Sequence, residues 1–223
     1  MKRKSTVRFW ISQILQNVGM IGVVALILEV FALVGSAGEI EGGYIWFFLS
    51  MLPMYIVLAA AFWVFIYILG FFKTYYPVVL SFRAHRGKTH RNFIFCLLTI
   101  DALMFVILAA VFAALFHMQA MDALLACSLI TGVMLFFEGI GLAFSVLYVR
   151  YGKLGVAICA LVGAAFGGVF GYVMASGGDA FYWLVGHIFS WISAGILFAA
   201  GICVFAAGIV VMHLVFRKAQ LYI

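Results

Sequence analysis

Residues 92–117 read NFIFCLLTIDALMFVILAAVFAALFH, a run whose one acidic or basic residue besides the terminal His117 is Asp101. A hydrocarbon core about 30 Å thick needs roughly 20 apolar helical residues to cross it, so this stretch is long enough to span a bilayer. Its apolar residues are continuous rather than alternating, which selects a helix over a barrel strand. Working outward, five further stretches meet the same test: 19–36, 45–72, 123–149, 154–175 and 188–216. The chain of 223 residues is 68% hydrophobic and 9% charged, whereas a soluble domain is about 45–50% apolar and about 25% charged. The expected fold class is therefore an all-α polytopic membrane protein, with six transmembrane helices forming one transmembrane domain over 1–223. Disorder, a secreted disulfide scaffold and a soluble nucleotide-binding enzyme are excluded.

The 13 Lys and Arg residues give a net charge of +6, and their positions explain it. Lys2, Arg3, Lys4 and Arg8 precede the first span, and Lys73, Arg83, Arg86, Lys88 and Arg91 lie between the second and third. Arg150 and Lys153 separate the fourth from the fifth, and Arg217 and Lys218 follow the sixth. The three opposite loops hold only acidic charges: Glu39, Glu41, Asp122 and Asp179. The positive-inside rule then predicts that both termini and the two basic loops are cytoplasmic. A basic surplus accounted for by orientation leaves no reason to invoke nucleic acid.

Before the first span, Val7, Trp10, Ile11, Ile14, Leu15 and Val18 share one helical face, with Ser12, Gln13, Gln16 and Asn17 opposite. This predicts an interfacial elbow helix over 7–18; the alternative is one long tilted helix over 7–36. No small-residue cleavage site follows a short apolar core, so a signal peptide is not expected. Pro53 is expected to kink the second span and Pro77 to help end it.

Three acids fall inside spans, and intramembrane ionisable groups are functional candidates by default. Glu138, near the middle of the fourth span, shares a polar stripe with Ser128, Thr131 and Ser145, a candidate substrate pathway or proton site. The plainer reading is a protonated Glu hydrogen-bonded to a neighbouring helix. Asp101 is close enough to the 73–91 loop to pair with one of its cations, and Glu29 is near enough to the outer end of its span to snorkel. Small residues form two bands suited to close helix packing. Gly163, Gly167 and Gly171 lie in the fifth span, Gly201 and Gly208 in the sixth. Cys96, Cys127, Cys159 and Cys203 are far apart and read as small apolar packing residues, with no metal cluster among them and the histidines. The chain has no phosphate loop, zinc-binding H-E-x-x-H or nucleophile elbow, so no enzymatic activity and no bound cofactor is expected of it alone.

The long inner loop reads YYPVVLSFRAHRGKTHRNFIF over 75–95. With its six-span topology, the chain here resembles the permease subunits of bacterial ABC type-2 transporters, small six-span form. Many of those carry L-S-F-G-x-T-R-K-x-F between the second and third spans, forming a coupling helix seated on the ATPase subunit. Leu80, Ser81 and Phe82 match its start, Arg86 stands for its Arg and Phe93 for its closing aromatic. Arg83 replaces the family Gly and His85 the Thr. The ending Leu214–Ala219 is similar to the L-x-x-R-R-A close of the family. The resemblance implies that 73–91 is a cytoplasmic coupling loop touching the ATPase through Leu80, Ser81, Phe82, Arg83, Arg86, Lys88, Arg91 and Phe93. It implies ATP and Mg on that partner, a second permease subunit (homodimer or heterodimer) and a place in the bacterial cell membrane. The expected function is export of an amphipathic or hydrophobic substrate such as a peptide, drug or lipid. The alternatives are a proton- or ion-coupled carrier using Glu138 and a non-transporting scaffold or immunity protein.

Overall fold

The computed structural model describes residues 3–35, 43–76, 86–152 and 191–218, with scattered positions in 154–161. Among the described residues every regular element is helical. Helix α1 spans Arg3–Gly35, α2 Tyr44–Gly70, α3 Arg86–Leu115, α4 Ala120–Tyr151 and α5 Trp191–Lys218, and a π-helical turn, Phe71–Tyr75, extends α2. All five helices contain a segment long and apolar enough to cross a membrane. Their outer faces expose large side chains such as Phe31, Val34, Ile45 and Phe95. That much exposed apolar surface would drive association in water, but it is the natural contact with lipid. The chain is a multi-pass membrane protein. The expected fifth span, 154–175, with Gly163, Gly167 and Gly171, lies almost wholly outside the described residues.

Side-chain contacts set the direction of each helix. Trp63 donates to Asn17 at 2.9 Å and Trp10 packs on Phe71, so α1 and α2 are antiparallel. Phe71 stacks on Phe93 while Tyr67 meets Cys96, which makes α2 and α3 antiparallel. The Cys127 thiol approaches the Phe105 carbonyl and Glu138 meets Asp101, so α3 and α4 are antiparallel too. In contrast, Gly201 lies on Gly132 and Gly208 on Gly139, and α5 therefore runs parallel to α4. These directions bring Arg8, Lys73, Lys88, Arg91, Arg150 and Lys218 to one end of the bundle, and place Asp122 at the other.

An aromatic cluster closes the basic end. Phe71 and Phe93 stack with centroids 4.0 Å apart, Phe72 meets Phe93 edge-on at 5.3 Å, and Tyr76 stacks on His90 at 5.1 Å. Offset and edge-to-face contacts of this kind add about 0.5–1.5 kcal/mol each beyond the area they bury. The π turn sits directly beneath, where one extra residue per turn rotates Phe71, Phe72 and Tyr76 onto α3. At its far end α3 stops on a left-handed residue, His117 at φ 48°. The Met118 amide donates back to the Phe112 carbonyl, six residues earlier, which satisfies one of the carbonyls left open at the helix end, with His in the left-handed position usually held by Gly.

Two expectations need correction. Residues 7–18 do not form a separate elbow: α1 is one unbroken helix of 33 residues. The side chains that were to face water, Gln13 and Asn17, are buried. Asn17 donates to the Gln13 carbonyl at 2.7 Å and accepts from Trp63, so this part of the polar face is held inside the bundle, while Ser12 and Gln16 stay exposed. The 73–91 segment is also not one long loop. Helical structure continues through Tyr76 and resumes at Arg86, because helices extend by polar turns beyond the hydrocarbon and hydropathy does not mark those turns. Pro53 is accommodated within α2.

Candidate functional site

On α3, Phe93, Leu97, Ile100, Asp101, Met104 and Leu108 are buried at steps of three and four residues. This is the stripe by which a helix faces a core, and Asp101 occupies one of its positions. On α4, Met134, Leu135, Glu138, Leu142 and Ser145 make the corresponding stripe. Glycine fixes how deep Glu138 lies. Gly132 and Gly139, on the adjacent face, seat α4 against the backbone of α5, and Gly141 admits Phe65 and Ile68 of α2. With α4 held on both flanks, the side chain of Glu138 turns into the middle of the bundle toward α3.

The outcome is a pair of acids. Asp101 is 5% exposed and Glu138 1% exposed, and their carboxyl groups meet within reach of a shared hydrogen bond. None of their four oxygens accepts a hydrogen bond from another group among the described residues. Among the described residues no loop cation pairs with Asp101; Lys73, Lys88 and Arg91 lie at the basic end of the bundle and Asp101 turns to Glu138 instead. Two adjacent carboxylates cannot both stay ionised in hydrocarbon, so the pair is stable with a proton or a small cation between them. The Cys96 thiol lies within electrostatic range of Glu138 and 4.0 Å from the Tyr67 hydroxyl.

The remaining members of the predicted stripe are placed less suggestively. Thr131 donates to the Cys127 carbonyl at 2.8 Å, Ser128 to Leu125, and Ser145 to Leu142 at 2.6 Å. All three satisfy their hydroxyls on their own helix, as Ser and Thr do within membrane spans. Glu29 does not snorkel: it is 0% exposed, lies in the electrostatic range of Tyr55, and has no hydrogen-bond partner for either oxygen among the described residues. Cys96 and Cys127 are buried, while Cys203 is exposed on the outside of α5, so close packing describes only two of these three thiols.

Of the expected coupling residues, Leu80, Ser81, Phe82 and Arg83 lie outside the described residues. Lys88 and Arg91 are exposed on the first turns of α3, which Arg86 opens. Phe93 is corrected: it is fully buried and stacked on Phe71, so it is a core residue and cannot close an exposed coupling helix. The sequence reading also missed Gly132 and Gly139 as the partners of Gly201 and Gly208. Their signal was present, a seven-residue glycine step repeated on both helices.

Neither protein-family models, nor curated proteins, nor solved structures contain a match to this chain.

Proposed function

We propose that the chain is the six-span permease subunit of an ATP-driven exporter of the bacterial cell membrane. It pairs with a cytoplasmic ATPase that binds ATP and Mg and with a second permease subunit, and it moves an amphipathic or hydrophobic substrate. The observation that carries this reading is the stack of Tyr76 on His90 at 5.1 Å. It ties the last turn before residues 77–85 to the first turns after them. The two flanks of residues 77–85 thus meet in a closed base, and the Phe71–Phe93 stack continues that base into the core. A push on the segment is passed to α2 and α3 together, which is what a coupling element to an ATPase requires. The parallel course of α4 and α5 further supports six spans, since the chain between them has to recross the membrane. The basic end of the bundle is then the cytoplasmic one.

The test is gentle purification of the tagged full chain followed by identification of what accompanies it. A P-loop ATPase is expected, its activity stimulated by the permease and uncoupled by Phe82→Ala with Arg86→Ala. Purification of the chain alone, with transport driven by an ion gradient, would overturn the reading.

One observation favours a second reading, a proton- or cation-coupled carrier: Asp101 and Glu138 meet without any other hydrogen-bond partner among the described residues. It predicts that Glu138→Gln or Asp101→Asn abolishes transport under a pH or cation gradient, measured in vesicles containing this protein alone.

A further inference from the structure

Helices α3 and α5 both pack on α4 rather than on each other, and at the basic end they leave a groove of about 310 Å³. That volume falls in the range of small-molecule pockets, about 300–1,000 Å³. His90 and Arg91 of α3 and His213 of α5 line its mouth, while Ile94, Leu98 and Ile209 line its deeper part. At 1.5 Å per helical residue, Leu98 lies about 10 Å further into the membrane than Arg91. The lining therefore grades from basic to apolar along the membrane normal.

Among the described residues no acidic side chain lines the groove, and Arg91 is exposed without an ion-pair partner among them. Phe95, also in the lining, is 70% exposed, so the groove is open sideways to where acyl chains run. A soluble anion would gain nothing from Leu98, Phe95 or Ile209, and an apolar solute would gain nothing from Arg91. One abundant molecule has both parts in this order and at this depth. Basic pockets between spans at the cytoplasmic face recognise anionic headgroups on the same grounds.

We propose that this groove seats an anionic phospholipid of the adjacent leaflet. Its phosphate lies on Arg91 and His213, where the guanidinium fork matches a phosphate bidentately. One acyl chain follows Ile94, Leu98 and Ile209 along the α3–α5 cleft. The site is independent of whether the protein is a permease or a carrier.

The experiment places the full chain in nanodiscs of phosphatidylcholine and phosphatidylglycerol at four to one, then exchanges it into mild detergent and quantifies the lipid retained by native mass spectrometry. Wild type is expected to retain phosphatidylglycerol preferentially. Arg91→Gln with His213→Gln should lower that preference by about fivefold or more, as one lost juxtamembrane cation implies. Lys88→Gln, which removes an exposed charge of the same helix outside the groove, should leave the preference unchanged. Ile209→Trp fills the deeper part without altering charge and should reduce retention of both lipids. Size-exclusion profiles confirm that each variant is folded. The proposal is overturned if wild type shows no headgroup preference, or if Lys88→Gln costs as much as Arg91→Gln with His213→Gln. Displacement of the lipid by inorganic phosphate alone would also overturn it, by showing a site for free anions.

Discussion

A methyl group on Gly208 would stand 2.5 Å from the carbonyl oxygen of Gly139. That is well inside van der Waals contact, and the atom it meets is backbone, which cannot swing aside. Lipid tails are as apolar as the helix surfaces, so burial does not drive α4 and α5 together; close backbone packing does. Gly208→Val and Gly201→Val are therefore expected to lower the thermal midpoint in detergent, at a cost of about 1–3 kcal/mol each. Gly195→Ala, which meets nothing within 4 Å, should leave the midpoint unchanged.

The Asp101–Glu138 pair predicts a pH dependence whose sign follows from geometry. With a proton shared, the pair carries at most one charge; without it, two negative charges face each other in a low-dielectric core. Stability of the wild type should fall as pH rises through the range in which the pair loses its proton. Glu138→Gln removes one of the charges and should flatten that limb. A thermal-midpoint series over pH for both proteins checks this. An identical fall in the variant would show that the pair is not its source.

Phe93 and Phe95 are two residues apart on α3 and experience opposite environments. Phe93 is wholly buried between Phe71 and Phe72, so Phe93→Ala should cost about 3–5 kcal/mol, as large-to-small core substitutions do. Phe95→Ala should cost far less, because its ring lies mostly on the outer surface. Equal losses in a detergent unfolding series would contradict the placement of α3.

The Trp63–Asn17 hydrogen bond makes a prediction about α1. Asn17→Leu leaves the indole N–H without its acceptor, a loss of about 1–3 kcal/mol. Trp63→Phe removes the donor, so in its presence Asn17→Leu should cost clearly less. A double-mutant cycle on the thermal midpoint measures the difference, and additivity would mean that the bond is not made.

These contacts show what the sequence could and could not disclose. Five of the spans were legible because a run such as 92–117 has no other stable environment, and the seven-residue spacing of Gly201 and Gly208 already announced a packing face. The continuity of α1 was not legible. Gln13 and Asn17 opposite an apolar face look like an interfacial helix, and the Trp63 that satisfies Asn17 lies 46 positions away. Phe93 was misplaced for a related reason: a cluster of cations looks like a loop even where it forms the first turns of a helix. Glu138 was legible as costly, but its partner was not. Asp101 is nearer in sequence to the loop cations, and only the antiparallel course of α3 and α4 brings it to Glu138 instead.

The two glycine contacts between α4 and α5 also constrain movement. Each backbone sits in a notch of the other, and the next equivalent notch is seven residues, or about 10.5 Å, along the axis. A smaller axial slide drives carbonyl oxygens into Cα atoms, so piston strokes between these two helices are blocked and they travel as a single lever. Among the described residues the α3–α4 seam has no such glycine interlock, and that seam is where the two acids meet.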